Sequence, residues 1–240
     1  VRSMNVGADL NLFENRLTFS GEYYERRTQD MLTAGATLPN VLGTSVPMAN
    51  AADLKTRGWE LTIGYKDQFE VYGKPLNIGV NFNISDSRSF ITKFKNETGT
   101  LSDYYVGYEI GQMWGLTTLG YFTSEEDIKN HADQTPVTSY PGTPPTAPGD
   151  LKFADLDGDG IINGGEWTLE DHGDYRIIGN SRSRYNYGIN LMADWNGFDA
   201  SIFLQGVGKK DYYPGSSDLY FWGVYNQPWT NITIGNLVDQ

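Results

Sequence analysis

The chain has 240 residues, no cysteine, and 18 Lys+Arg against 30 Asp+Glu, a formal net charge of -12. That length allows one large domain or two small ones. The missing cysteine excludes a disulfide framework, a thiolate metal site and a cysteine nucleophile, and the acidic balance argues against nucleic acid, whose phosphates need clustered Lys and Arg.

No stretch holds about 18 or more consecutive apolar residues, so no transmembrane helix is possible, and no signal peptide is visible. Val1 stands first in place of a methionine, so an upstream start is expected. Tyr (16 residues) and Gly (28) suit β-structure with tight turns better than a helical bundle.

The elements come in pairs. Val6, Ala8, Leu10 and Leu12 alternate with Asn5, Gly7, Asp9 and Asn11, which predicts a strand over 4–13. Glu14-Asn15 makes a tight turn into a strand over 16–28, with Leu17, Phe19, Gly21 and Tyr23 on one face. A second pair is predicted over 58–67 and 75–89. Trp59, Leu61, Ile63 and Tyr65 line one face of the first, and Leu76, Ile78, Val80, Phe82 and Ile84 line one face of the second. The third pair covers 184–195 and 198–207, joined by Asn196-Gly197, a strong hairpin signal.

Alternation gives each strand one apolar and one polar face. A soluble sandwich would turn the apolar face to a core. A membrane barrel would turn it to lipid. Connections separate the two: one end of every hairpin is short, while the other end runs from Thr28 to Arg57, from Phe90 to about Arg184, and from Lys209 onward. Short turns on one side and long extracellular loops on the other are the habit of outer-membrane barrels. Strands of about 9–11 residues match a tilted crossing. Tyr23, Trp59, Tyr185 and Trp195 fall near strand ends, where an interfacial aromatic girdle sits. The expectation is an all-β chain, part of a large antiparallel transmembrane β-barrel. Its six strands are fewer than the eight or so a closed barrel needs, so the chain reads as a piece of something larger.

Within the longest loop stands FADLDGDGIINGGEW. Asp155, Asp157, Asp159, Gly160 and Glu166 fit D-x-D-x-D-G-x-x-x-x-x-E, the calcium-loop pattern. Calcium is a hard cation that takes six to eight oxygens. The three aspartates and Glu166 would offer carboxylates, Ile161 its carbonyl, Asn163 a direct or water-mediated contact, and Ile162 an apolar anchor. The preceding TPPTAPGDLKF forbids an entering helix, so the loop is no EF-hand sensor. A structural Ca²⁺ pinning the loop is expected, against the alternative of a solvated acidic turn.

No nucleophile–base pair, catalytic metal motif or phosphate-cradling glycine loop is present, so no enzyme is expected. His131 and His172 lie in loop-like sequence. Trp114, Tyr121, Tyr220, Trp222 and Trp229 could contact substrate by stacking on sugar rings, or could simply pack the loops.

Three runs also carry a resemblance. YYERRTQDMLTAGATLPNVLGTSVPMANAADLKTRGWELTIGY, PGDLKFADLDGDGIINGGEW and RIIGNSRSRYNYGINLMADWNGFDASIFLQGVGKKDYY resemble the C-terminal part of SusC-like (RagA-like) TonB-dependent transporters of Bacteroidetes outer membranes. Arg27-Asp30 matches the family's R-x-x-D strand end, and Gly58-Trp59-Glu60 its G-W-E strand start. Asp157 stands where Asn is usual, and Ser181 and Ser183 replace prolines after I-G-N.

The resemblance implies that residues 1–240 are the C-terminal portion of a 22-stranded barrel whose plug, TonB box and last strands are absent here. Residues 90–184 then form an extracellular loop region carrying the calcium-type loop at 155–166. It implies TonB-dependent uptake of glycans or peptides, a SusD-like surface lipoprotein partner, TonB reached through the missing N-terminal part, and a membrane-lipid surround. A cell-surface adhesin or carbohydrate-binding module with a calcium-stabilised loop is the alternative reading of the same residues.

Overall fold

The computed structural model describes residues 1–34, 48–139 and 145–213. The chain divides into two compact units, Val1–Lys210 and Asp211–Gln240, and every element below lies in the first. Six long strands make one sheet: β1 (Arg2–Leu12), β2 (Leu17–Ala34), β3 (Met48–Val71), β4 (Lys74–Lys93), β9 (Arg184–Trp195) and β10 (Phe198–Lys209). Their order in the sheet is β1-β2-β3-β4-β9-β10, each antiparallel to its neighbour. Between β4 and β9 lies an insert with short strands β5 (Gln112–Gly115), β6 (Thr118–Tyr121), β7 (Leu151–Phe153) and β8 (Arg176–Asn180), and two helical turns, α1 (Glu125–Lys129) and α2 (Thr135–Thr138).

The turns fix the register. Tyr72-Gly73 and Asn196-Gly197 have positive φ at both positions (51° and 68°, then 51° and 86°). That is the left-handed pair whose twist matches flanking strands in two-residue hairpins. From this start the apolar positions fall into rows across the sheet. One row runs Leu10, Phe19, Ile63, Phe82, Ile189, Leu204. The next runs Leu12, Leu17, Tyr65, Val80, Leu191, Ile202. Polar rows occupy the other face, where Asn81 faces Asn190 and the Asn77 side chain donates to Asp194 at 2.8 Å.

Nothing described covers the apolar face. Leu10, Phe19, Leu191, Ile202 and Leu204 are all exposed. Among the described residues the buried apolar side chains are Ala52, Ile91, Leu101, Tyr105, Phe122, Ala154 and Ile162, none of which belongs to those rows. On β4 the uninterrupted apolar run from Leu76 to Ile84 covers roughly 27 Å of strand, or about 20 Å along the normal at a tilt of about 40°. Phe69 and Phe198 stand level with its Leu76 end, and Tyr23 and Trp59 extend the face toward the loops. Asp67 also lies on this face near the turns, where Arg16 neutralises it at 3.1 Å.

Two expectations need correction. The strands exceed 9–11 residues: β2 has 18, β3 24 and β4 20. Thr28–Ala34 pairs back onto Met48–Leu54 in what the alternation suggests is loop. The register shifts between Thr28 and Met31, where Asp30 takes a φ of 54°. A bulge of this kind puts two residues against one and breaks the period-two signal. Likewise the segment from Phe90 to Arg184 is an organised insert with its own strands and buried residues, its elements too short to show a period.

Asp86 and Arg184 tie β4 to β9 beside the insert's two ends. Arg184 donates from Nε and Nη2 to both Asp86 oxygens, and Asp86 is 6% exposed. Arg184→Met leaves that carboxylate without its partner, so a loss of about 3 kcal/mol is expected from the urea unfolding midpoint of the full-length protein. Arg184→Lys recovers only part, because one ammonium cannot make both bonds.

Candidate metal loop and its clamps

The loop after β7 is held from three sides. The buried side chain of Gln134 takes the place of a strand beside β7: its Nε2 donates to Leu151 O at 2.9 Å and its Oε1 accepts from Phe153 N at 3.3 Å. Asp133 N donates to Gly160 O at 2.9 Å and Ile162 N to Asp133 O at 2.8 Å, a short parallel bridge. Asp174, wholly buried, accepts from Leu156 N at 2.6 Å and from Asn163 N at 3.0 Å. One carboxylate thus spans the loop's two ends. Ile162 is also fully buried and acts as the apolar anchor expected of it.

Between these clamps Asp155, Asp157 and Asp159 each offer a carboxylate oxygen, and these oxygens lie within 4.8 Å of one another. Asp155 Oδ1 accepts from Gly158 N at 2.6 Å and its Oδ2 from Gly160 N at 3.0 Å. Asp157 Oδ1 accepts from Asp159 N at 3.2 Å, and Asp159 Oδ1 from Ile161 N at 2.7 Å. The left-handed φ of Gly160, 86°, makes the sharp turn possible. Asp157 and Asp159 are exposed and Asp155 is half-buried.

Glu166 stands exposed, outside the convergent group of three. Ile161 presents its carbonyl to the Asn163 side-chain amide at 3.2 Å, and Asn163 Oδ1 accepts from Gly165 N at 2.6 Å. The donor set is all oxygen, which suits a hard cation and no softer metal.

The aromatic candidates divide. Trp114 is half-buried and packs inside the insert, its ring 5.1 Å from His172 and 6.5 Å from Trp167, which in turn meets Tyr175 edge-on at 5.0 Å. Tyr121 is exposed. Tyr220, Trp222 and Trp229 lie outside the described residues. Of the histidines, His131 Nε2 lies 2.7 Å from Phe153 O, and His172 Nδ1 receives Arg176 Nη1 at 2.9 Å. Sequence reasoning missed Gln134 and Asp174. Asp174 carried one usable signal, an acid eight residues beyond the calcium-type loop, but no motif distinguishes it from other loop aspartates.

A further tie lies beside α1. Lys152 Nζ sits 2.6 Å from Asp127 Oδ1, and Thr123 N donates to Asp127 Oδ2 at 3.1 Å. Lys152 first, then the Thr123 amide, hold the Asp127 carboxyl below its ordinary value of 3.8. A depressed carboxyl stabilises the fold above its unfolded value, and that support disappears as pH falls through the folded value. Lys152→Met should therefore raise amide exchange over 123–129 at pH 7, after correction for intrinsic rates. The difference from wild type should shrink as pH falls below 3.8 and vanish once pH is below the depressed folded value.

No family model matches the chain. The TonB-dependent receptor P39 of Formosa agariphila is 29% identical over 237 aligned positions, an alignment that covers 90% of this chain and 22% of the receptor. The TonB-dependent receptor P3 of the same organism is 25% identical over 217 aligned positions, covering 85% of this chain and 20% of the receptor. The chain thus spans about a fifth of the length of the curated relatives it matches. Among solved structures, the RagAB peptide transporter matches with a TM-score of 0.56 and 17% identity over 85% of this chain and 20% of that one. The RagAB peptide importer in its "open-open" state matches equally, with a TM-score of 0.56 and 18% identity. The chain is similar to TonB-dependent receptors in sequence and to RagAB in fold, the resemblance its strand and loop motifs carry.

Proposed function

We propose that the chain forms part of the barrel wall of an outer-membrane, TonB-dependent importer of glycans or peptides. The observation that carries the reading is the apolar face of the six-stranded sheet: continuous, in register and, among the described residues, uncovered. Lipid is the surround that leaves such a face stable, and closure into a barrel removes the sheet's edges. All the short turns lie at one end and the insert at the other, which supports an extracellular position for the insert. The relatives are named as receptors and transporters, none as an enzyme. A SusD-like lipoprotein lid and TonB itself are the partners this function requires. The name of the RagAB transporter favours peptide among the two cargo classes.

Disruption of the gene should abolish growth on a single peptide or glycan source while growth on free amino acids or monosaccharides continues. The full-length protein should extract only with detergent. Unimpaired growth on every polymeric source overturns the import reading.

In this setting the aspartate loop holds a structural calcium ion through Asp155, Asp157, Asp159 and the Ile161 carbonyl, with Glu166 as the closing ligand. The three convergent carboxylates fit a hard divalent cation, which would offset their mutual repulsion. Calcium supplies no chemistry there beyond ordering the loop. Extracellular sites of this kind bind at about 10⁻⁴–10⁻³ M. Millimolar calcium should protect residues 155–166 from proteolysis. Asp157→Asn with Asp159→Asn should abolish that protection and leave the barrel folded. Equal cleavage with calcium and with chelator overturns the assignment.

A further inference from the structure

Just beyond the apolar band, at the end toward the insert, the same outward face changes character. Its next two rows read Met4, Glu25, Arg57, Arg88 and then Arg2, Arg27, Lys55, Phe90. Five cations therefore gather in a chain whose net charge is -12. Like charges stand directly opposite each other three times: Arg2 against Arg27, Arg27 against Lys55, and Arg57 against Arg88. Such cross-strand pairs are destabilising by themselves.

Two carboxylates relieve the crowding in part. Glu25 binds Arg27 at 2.7 Å, Arg57 at 3.0 Å and Lys55 at 3.2 Å, and Glu109 binds Arg88 Nε at 2.8 Å. One step further toward the loops Lys93 meets Asp30 at 3.5 Å. The acids lie underneath and the bases outside: the side chains of Glu25 and Glu109 are 14% and 15% exposed, those of Arg27, Arg57 and Arg88 58%, 52% and 47%. The surface presented is positive, and Tyr23 and Trp59 separate it from the apolar rows. In a bilayer that is the level of the headgroups.

We propose that this cationic patch binds the phosphate groups of an outer-leaflet lipid headgroup, with the lipid's acyl chains lying on the apolar rows below. The inference rests on the barrel reading above. A guanidinium presents a planar fork to phosphate oxygens, so Arg27, Arg57 and Arg88 match a phosphate-bearing headgroup better than a zwitterionic or sugar one. A bound dianion also screens the three like-charged pairs, which no protein group described here does completely. A lid protein would sit on the loops and not on the outward wall, so lipid is the occupant that the position favours.

The test uses the full-length protein in a zwitterionic detergent, with diphosphoryl lipid A, its fully dephosphorylated form and phosphatidylcholine as probes, read by native mass spectrometry. Wild type should retain diphosphoryl lipid A and release the other two. The triple variant Arg27→Gln, Arg57→Gln, Arg88→Gln should bind it about tenfold or more weakly. The corresponding triple Lys variant should bind between the two, and Arg16→Gln, at the opposite rim, should bind as wild type. Equal retention by wild type and the Gln variant, or equal binding of the dephosphorylated lipid, overturns the proposal. So does loss of a protein partner from the Gln variant with lipid binding intact. Failure of the barrel reading looks different: the wild-type protein would then stay monodisperse without detergent.

Discussion

A β-strand cannot slip by one residue against its neighbour without exchanging its faces. Everything in this chain depends on that constraint being met five times in succession. The hairpins at Tyr72-Gly73 and Asn196-Gly197 set two of the registers outright. The pairing of β4 with β9 has no tight turn to set it, yet it brings Phe82 opposite Ile189 and Val80 opposite Leu191, in line with the rows on either side. Strand pairing then yields a wall with one polar and one apolar side, and among the described residues no core covers the apolar rows. Such a wall is stable only where its apolar side meets something other than water.

The insert solves the opposite problem. It lies outside the wall and must bury its own residues. It has short elements, so side chains replace the missing backbone partners: Gln134 pairs with β7 as a strand would, and Asp174 joins Leu156 to Asn163. Ile162, Phe122 and Tyr105 are among the apolar side chains it buries. Gln134 and Asp174 are buried and bonded, which makes them costly to alter, whereas the buried Trp114 Nε1 has no hydrogen-bond partner among the described residues.

The wall was legible because its signal is periodic. Alternation of the kind seen in Val6 to Leu12, Trp59 to Tyr65 and Tyr185 to Trp195 marks all six strands, and the turn residues punctuate them. The extensions of β2 and β3 were hidden, because the bulge at Asp30 scrambles the count and Ala49–Asp53 holds little apolar contrast. In the insert, three- to five-residue elements give no period to read. Of the aspartate loop, the chemistry showed in the spacing of Asp155, Asp157 and Asp159. Its supports did not, since Gln134 and Asp174 act across chain separations that spacing cannot encode.

The placement of the insert also bears on how the chain reaches this arrangement. About ninety residues separate Lys93 from Arg184, yet the strands they belong to are direct neighbours. Closing a floppy loop of that size costs about 4 kcal/mol in chain entropy, far more than closing either two-residue hairpin. If the insert condenses first, its ends are already near each other and most of that loss has been met by its own contacts. Assembly is then hierarchical: three hairpins close locally, the insert compacts, and the β4–β9 seam joins last, the slow non-local step in an otherwise local zipper.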